Sequence, residues 1–110
     1  MKTAIIGSRG IKGIDSTEYI PCGTDEILSG GAKGVDTLAR DYALSHKIKF
    51  TEFLPEYKIY GRVAPLKRNI KIIENADVVI ALWDGKSHET KYVIENCKKR
   101  NVPVKVYMIL

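Results

Sequence analysis

The stretch Ile27-Leu28-Ser29-Gly30-Gly31-Ala32-Lys33-Gly34-Val35-Asp36 joins two kinds of chain. An apolar pair comes first and reads as the end of a strand. Gly30, Gly31 and Gly34 follow. From Val35 onward, Val35, Leu38, Ala39, Tyr42 and Ala43 recur at i, i+3, i+4, i+7 and i+8, which is one face of a helix. That helix is expected to end near Ser45-His46. A glycine turn between strand and helix can wrap amide N–H groups around an anion, with the positive end of the helix dipole behind them.

The same alternation extends in both directions. Lys2 to Ile6 reads as a short apolar strand ended by Gly7-Ser8-Arg9-Gly10. Residues 11–25 hold Gly13, Pro21 and Gly23, so a loop with one helical turn near Ser16-Thr17-Glu18-Tyr19 is expected there. Ile48 to Leu54 is expected as a third strand, stopped by Pro55, and Glu56 to Val63 as a loop. Pro65 suits the first turn of a helix whose buried stripe is expected at Leu66, Ile70 and Ile73, with its end near Asn75. Val78-Val79-Ile80-Ala81-Leu82-Trp83 is apolar without alternation, the mark of a parallel strand covered on both faces. A helix over about 89–100 follows, with Val93, Ile94 and Cys97 inward and Asn101 as its left-handed terminator. Val104 to Ile109 closes the series. Strands alternating with helices predict one α/β domain over residues 1–110, with a mostly parallel sheet of about five strands and helices on both faces.

In such a sheet, ligands bind beyond the carboxyl ends of the strands. Gly7-Ser8-Arg9, Ser29 to Asp36, Pro55 to Gly61 and Trp83 to Ser87 each follow a strand, and Arg68-Asn69 begins near the same edge. Singly, each has a plain alternative. The glycines can make only a tight turn, and Asp36 can simply favour a helix N-terminus. Arg9 and Arg68 can be solvated, Trp83 can be core, and Tyr57 and Tyr60 can cover the sheet edge. Asp84-Gly85 is an ordinary turn pair, and Ser87 or Thr90 can be a helix cap. Together, five segments bring Gly, Ser, Thr, Arg, Lys and aromatic residues to one edge and favour a phosphate-bearing ligand. The spacing fits neither a Walker A loop nor a GxGxxG fingerprint.

Composition bounds the alternatives. Of 110 residues, 45% are hydrophobic and 28% charged, as in a globular domain able to bury a core. The net charge of +5 permits an anionic partner without demanding one. The densest basic run, Lys98-Lys99-Arg100, suits a helix C-terminus, so nucleic-acid binding through it is not expected. Cys22 and Cys97 need not pair, and with no His or Cys cluster nearby no metal site is expected. His46 and His88 read as surface residues. No apolar run is long enough for a signal peptide or a membrane span, so the expected compartment is the cytoplasm.

Gly7-Ser8-Arg9, Ser29 to Asp36, Pro55-Glu56-Tyr57 with Tyr60-Gly61, Ala64-Pro65 with Arg68-Asn69, Ala76-Asp77 and Trp83-Asp84-Gly85-Lys86-Ser87 occur in order. The set covers nearly the whole chain and resembles the YspA/YpsA-related branch of the SLOG superfamily. Relatives of that superfamily include the LOG phosphoribohydrolases and the DNA-processing protein DprA/Smf. The resemblance implies a Rossmann-like three-layer domain that binds a nucleotide or nucleotide-derived phosphorylated ligand. It implies a ligand set of Gly7, Ser8, Arg9, Ser29, Gly30, Gly31, Ala32, Lys33, Asp36, Tyr57, Arg68, Asn69, Trp83, Asp84, Gly85, Ser87 and Thr90. Gly30 to Lys33 would cradle phosphate, Arg9 and Arg68 would add charged hydrogen bonds, and Tyr57 or Trp83 would flank the base or ribose.

One departure stands out. The family pattern after Trp-Asp-Gly continues Ser-x-Gly-Thr, whereas this chain reads Ser87-His88-Glu89-Thr90. Glu89 sets a side chain and a negative charge where glycine would admit a phosphate. In LOG enzymes the related loop is Pro-Gly-Gly-x-Gly-Thr-x-x-Glu, with a catalytic glutamate, and matching Thr90 to that threonine places Val93 at the glutamate position. Arg68 resembles the LOG catalytic arginine in position, so Arg68 and Asp84 are the catalytic candidates, with Asp36 or Glu89 as other carboxylates. The missing glutamate leans against an enzyme. A binding module is therefore the first expectation, a LOG-like nucleoside-monophosphate phosphoribohydrolase the second, and a DprA-like nucleic-acid-binding domain the third. The sequence names no cofactor. Related Rossmann-like domains often pair through helices, which leaves a homodimer open.

Overall fold

The computed structural model describes residues 1–8, 10–11, 18–30 and 34–109. Five strands, β1 (Lys2–Gly7), β2 (Glu26–Ser29), β3 (Lys49–Glu52), β4 (Val78–Trp83) and β5 (Val104–Met108), form one sheet in the order β3-β2-β1-β4-β5. Every pairing is parallel, so the expected mostly parallel sheet is wholly so. The helices are α1 (Val35–Ser45), α2 (Tyr57–Tyr60), α3 (Ala64–Asn75) and α4 (His88–Lys99).

Alternation along the strands builds two cores. Ile5, Ile27, Val78, Ile80 and Leu82 face Val35, Ala39 and Ala43 of α1, joined by Ile11 and Ile20. On the opposite face Ala4, Ile6, Leu28 and Val79 meet Ile72 and Ile73 of α3 and Val93 and Cys97 of α4. β4 supplies both layers, which is why its sequence is apolar at every position. The result is a Rossmann-like three-layer α/β arrangement. Among the described residues, no helix is long and apolar enough to cross a membrane.

Three expectations are corrected. The 56–63 segment contains one helical turn, α2, followed by a 3-10 turn at Gly61–Val63. Ile59 and Tyr60 both donate their amides to the Glu56 carbonyl, and Lys71 of α3 holds the Glu56 carboxylate at 2.5 Å. The buried face of α3 is Ala64, Arg68, Asn69, Ile72 and Ile73 rather than the Leu66, Ile70 and Ile73 stripe; Leu66 and Ile70 are only half-buried. The rows 64/68/72 and 69/73 turn inward because Arg68 and Asn69 find polar partners there. Third, the outer strands are shorter than expected: β3 ends at Glu52, although Phe53 still donates to Ser29, and β5 ends at Met108. Of the helical turn expected at 16–19, Ser16 and Thr17 lie outside the described residues. Asn101 has φ +58, the left-handed terminator expected after α4.

The chain leaves β1 for β2 and β3 on one side, then returns to β4 and β5 on the other, which makes the β1/β4 junction a topological switch point. The junction is stitched together beyond the strands. Ser8 donates its amide to Leu82 at 3.0 Å, and its Oγ accepts from the Asp84 amide at 3.1 Å.

Candidate functional site

A cavity of about 410 Å³ opens at this junction. Gly7 ends β1, Ser29 ends β2 with Gly30 just beyond it, and Asp84 follows β4. Leu54, Pro55 and Tyr57 supply an apolar side, and Val35 brings in the start of α1. Arg68 and Asn69 enter from α3, and Ser87, Glu89 and Thr90 from the start of α4.

Arg68 organises the interior. It is 9% exposed, although the sequence alone allows a solvated arginine at this position. Its Nε donates to Asn69 Oδ1 at 2.7 Å, its Nη1 to the Gly30 carbonyl, and its Nη2 to Glu89 Oε1 at 3.0 Å. Asn69 Nδ2 donates to the same Glu89 oxygen at 3.2 Å. The planar guanidinium thus serves three acceptors from three parts of the chain, an arrangement a lysine could not copy. Gly30 leaves room for it: a methyl group there would lie 3.1 Å from the Cδ, Nε and Cζ atoms of Arg68, which would have to shift by a few tenths of an ångström.

The two helices that begin at the cavity differ in how their N-termini are filled. At α4, Ser87 is the N-cap and its Oγ accepts from the Thr90 amide at 3.4 Å. Asp84 Oδ1 accepts from the Lys86 and Ser87 amides at 2.8 and 2.9 Å. Those two bonds hold the Asp84 carboxyl below its ordinary range. At α1 the N-cap is Gly34, and among the described residues no side chain caps it. Gly34 has φ +88, and a methyl group there would lie 2.0 Å from the Ile11 carbonyl oxygen, so only glycine makes this turn.

Nine of the expected ligand residues line the cavity: Gly7, Ser29, Gly30, Tyr57, Arg68, Asn69, Asp84, Ser87 and Thr90. Four do not. Ser8 is buried in the β1/β4 stitch. Asp36 is buried and accepts from Arg40 at 3.2 Å; Arg40 also reaches Glu52 at 3.0 Å. A hydrogen bond from Glu52 to the Asp36 carboxylate, with burial next, raises the Glu52 carboxyl above its usual range. Trp83 is half-buried and ties its Nε1 to the Ser87 carbonyl at 3.0 Å, and Gly85 makes a turn at φ +81. Arg9, Gly31, Ala32 and Lys33 lie outside the described residues.

The cavity also takes in residues absent from the expected set. Leu54, Pro55 and Val35 are apolar and carried no chemical signal. Glu89 did carry one, as the acid standing in a glycine's place. Val93, which the LOG comparison sets at the catalytic glutamate, is fully buried in the core below. Glu89 lies one helical turn before it and brings a carboxylate into the cavity. Among the described residues, no group of three or more His, Cys, Asp or Glu side chains could hold a metal ion. No protein-family model matches the chain, and neither a curated protein nor a solved structure matches it.

Proposed function

We propose that the chain binds a nucleotide or nucleotide-derived phosphorylated ligand in the cavity at the carboxyl edge of the sheet, as a SLOG-type module. The observation that carries this reading is the coincidence of the cavity with the switch point and with the start of α1, which has no side-chain cap among the described residues. Helix N-termini at such junctions favour phosphate, through unpaired amides and the helix dipole. The volume falls within the range of small-molecule sites, about 300–1,000 Å³. Tyr57, Leu54 and Pro55 offer an apolar wall for a base or sugar ring. Titration calorimetry of the wild-type protein against AMP, ADP, ADP-ribose and ribose 5-phosphate tests the reading. Binding of at least one, weakened by Tyr57→Ala, supports it; heatless injections for all four reject it. Tyr57 is 60% exposed, so its truncation leaves the core intact.

A second reading, a nucleoside-monophosphate phosphoribohydrolase, draws on the Arg68–Glu89 pair. Cleavage of an N-glycosidic bond needs a carboxylate near the ribose to stabilise oxocarbenium-like charge or activate water. Glu89 supplies one inside the cavity where Val93 cannot. Incubation with purine and pyrimidine nucleoside monophosphates, followed by assay for free base, decides it; a zero rate for all rejects it.

A further inference from the structure

The cavity has one buried cation among its described lining residues, Arg68, and that cation already has a counter-ion. Glu89 Oε1 accepts from both Arg68 Nη2 and Asn69 Nδ2, the pair of donors a phosphate oxygen would otherwise use. Asp84 lines the same cavity, so its described wall carries two carboxylates against one guanidinium. A dianion placed beside Glu89 would meet like charge in a partly desolvated space, which is costly. Oε2 of Glu89 accepts no hydrogen bond among the described residues, so it can take one from a ligand.

We propose that Glu89 is a specificity residue: it fills the anion subsite of Arg68 and Asn69, so this end of the cavity receives an uncharged hydrogen-bond donor, such as a sugar hydroxyl, and turns phosphate away. This rests on the reading that the cavity holds a nucleotide-type ligand, whose phosphate then lies toward α1.

The test uses inorganic phosphate as the probe, with the wild type, Glu89→Gln and Glu89→Ala. Glutamine keeps an acceptor for Arg68 and Asn69 but removes the charge. Alanine leaves a nine-tenths buried guanidinium with Asn69 and the Gly30 carbonyl but no counter-ion. With the like charge gone and the half-exposed glutamine amide, a weaker acceptor than the carboxylate, able to yield its place to an anion, Glu89→Gln is expected to bind phosphate at least about tenfold tighter than the wild type. Arg68→Ala added to Glu89→Gln is expected to abolish the gain. Glu89→Ala is expected to melt below the wild type and to recover several degrees in millimolar phosphate, a recovery the wild type does not show. Equal phosphate binding by the wild type and Glu89→Gln overturns the proposal, as does a gain that survives Arg68→Ala. AMP binding to the wild type, measured separately, keeps the two ideas apart. With no binding of AMP, ADP, ADP-ribose or ribose 5-phosphate but a phosphate gain in Glu89→Gln, the nucleotide reading fails and the exclusion of phosphate by Glu89 stands. With AMP binding and no gain, the reverse holds.

Discussion

Arg68 of α3 donates from Nη2 to Oε1 of Glu89 on α4 at 3.0 Å, and both side chains line the same cavity. The pair, with Asn69 and the Gly30 carbonyl, ties the end of β2 to the starts of two neighbouring helix faces. Removing the guanidinium strands three acceptors at once. Arg68→Ala is therefore expected to destabilise the fold by about 3 kcal/mol, read as a lower urea midpoint. Arg68→Lys should recover less than half of that, because an ammonium cannot reach three acceptors in one plane. A loss under about 0.5 kcal/mol, the level of an ordinary surface substitution, contradicts this account of Arg68.

Gly34 begins α1 at φ +88, with the Ile11 carbonyl where a side chain would go. Gly34→Ala should cost about 3 kcal/mol or more, from backbone strain and the clash together. Thermal melting of the variant measures it, and an unchanged midpoint excludes this geometry of the turn.

The two thiols should behave differently. Cys22 is exposed and Cys97 fully buried; burial pushes the Cys97 thiol up to about 11. At pH 8, an alkylating reagent should modify Cys22 quickly and reach Cys97 only as the protein unfolds. Equal rates for both thiols in native protein would refute the placement of α4.

Asp84 carries a pH dependence whose sign is fixed. Its folded pKa lies below the ordinary 3.8, because the Lys86 and Ser87 amides stabilise the carboxylate. Below that ordinary value the unfolded chain takes up the proton first. The contribution of Asp84 is thus complete above about pH 4 and is lost as pH falls through the lower folded value. Asp84→Asn should flatten the acid limb of a stability-against-pH curve below pH 4 and leave the shape near neutrality unchanged.

The parallel core was legible because its signals are local and redundant. The unbroken apolar run of β4 implies burial on both faces, and the 35/39/43 spacing implies a helix face. Turn α2 was not legible: its four residues bury nothing, so no periodic face exists to read. The burial of Arg68 was hidden for a different reason. Helical spacing placed it beside a Leu66/Ile70 stripe, and what holds it inward is the Gly30 carbonyl and the carboxylate of Glu89, both distant in sequence. Glu89 was visible as an acid where the resemblance leads one to expect glycine, but its partners are fixed only by tertiary packing of α3 against α4.

The most direct test of the central claim, that the cavity at the β1/β4 junction is the ligand site, is an amide-resolved NMR titration of the wild-type protein with AMP. The account predicts shifts centred on Gly30, Val35, Tyr57, Ser87 and Thr90, with the basic end of α4 at Lys98 to Arg100 unmoved. Shifts confined to Lys98–Arg100, or none with millimolar AMP, ADP, ADP-ribose and ribose 5-phosphate alike, would contradict it.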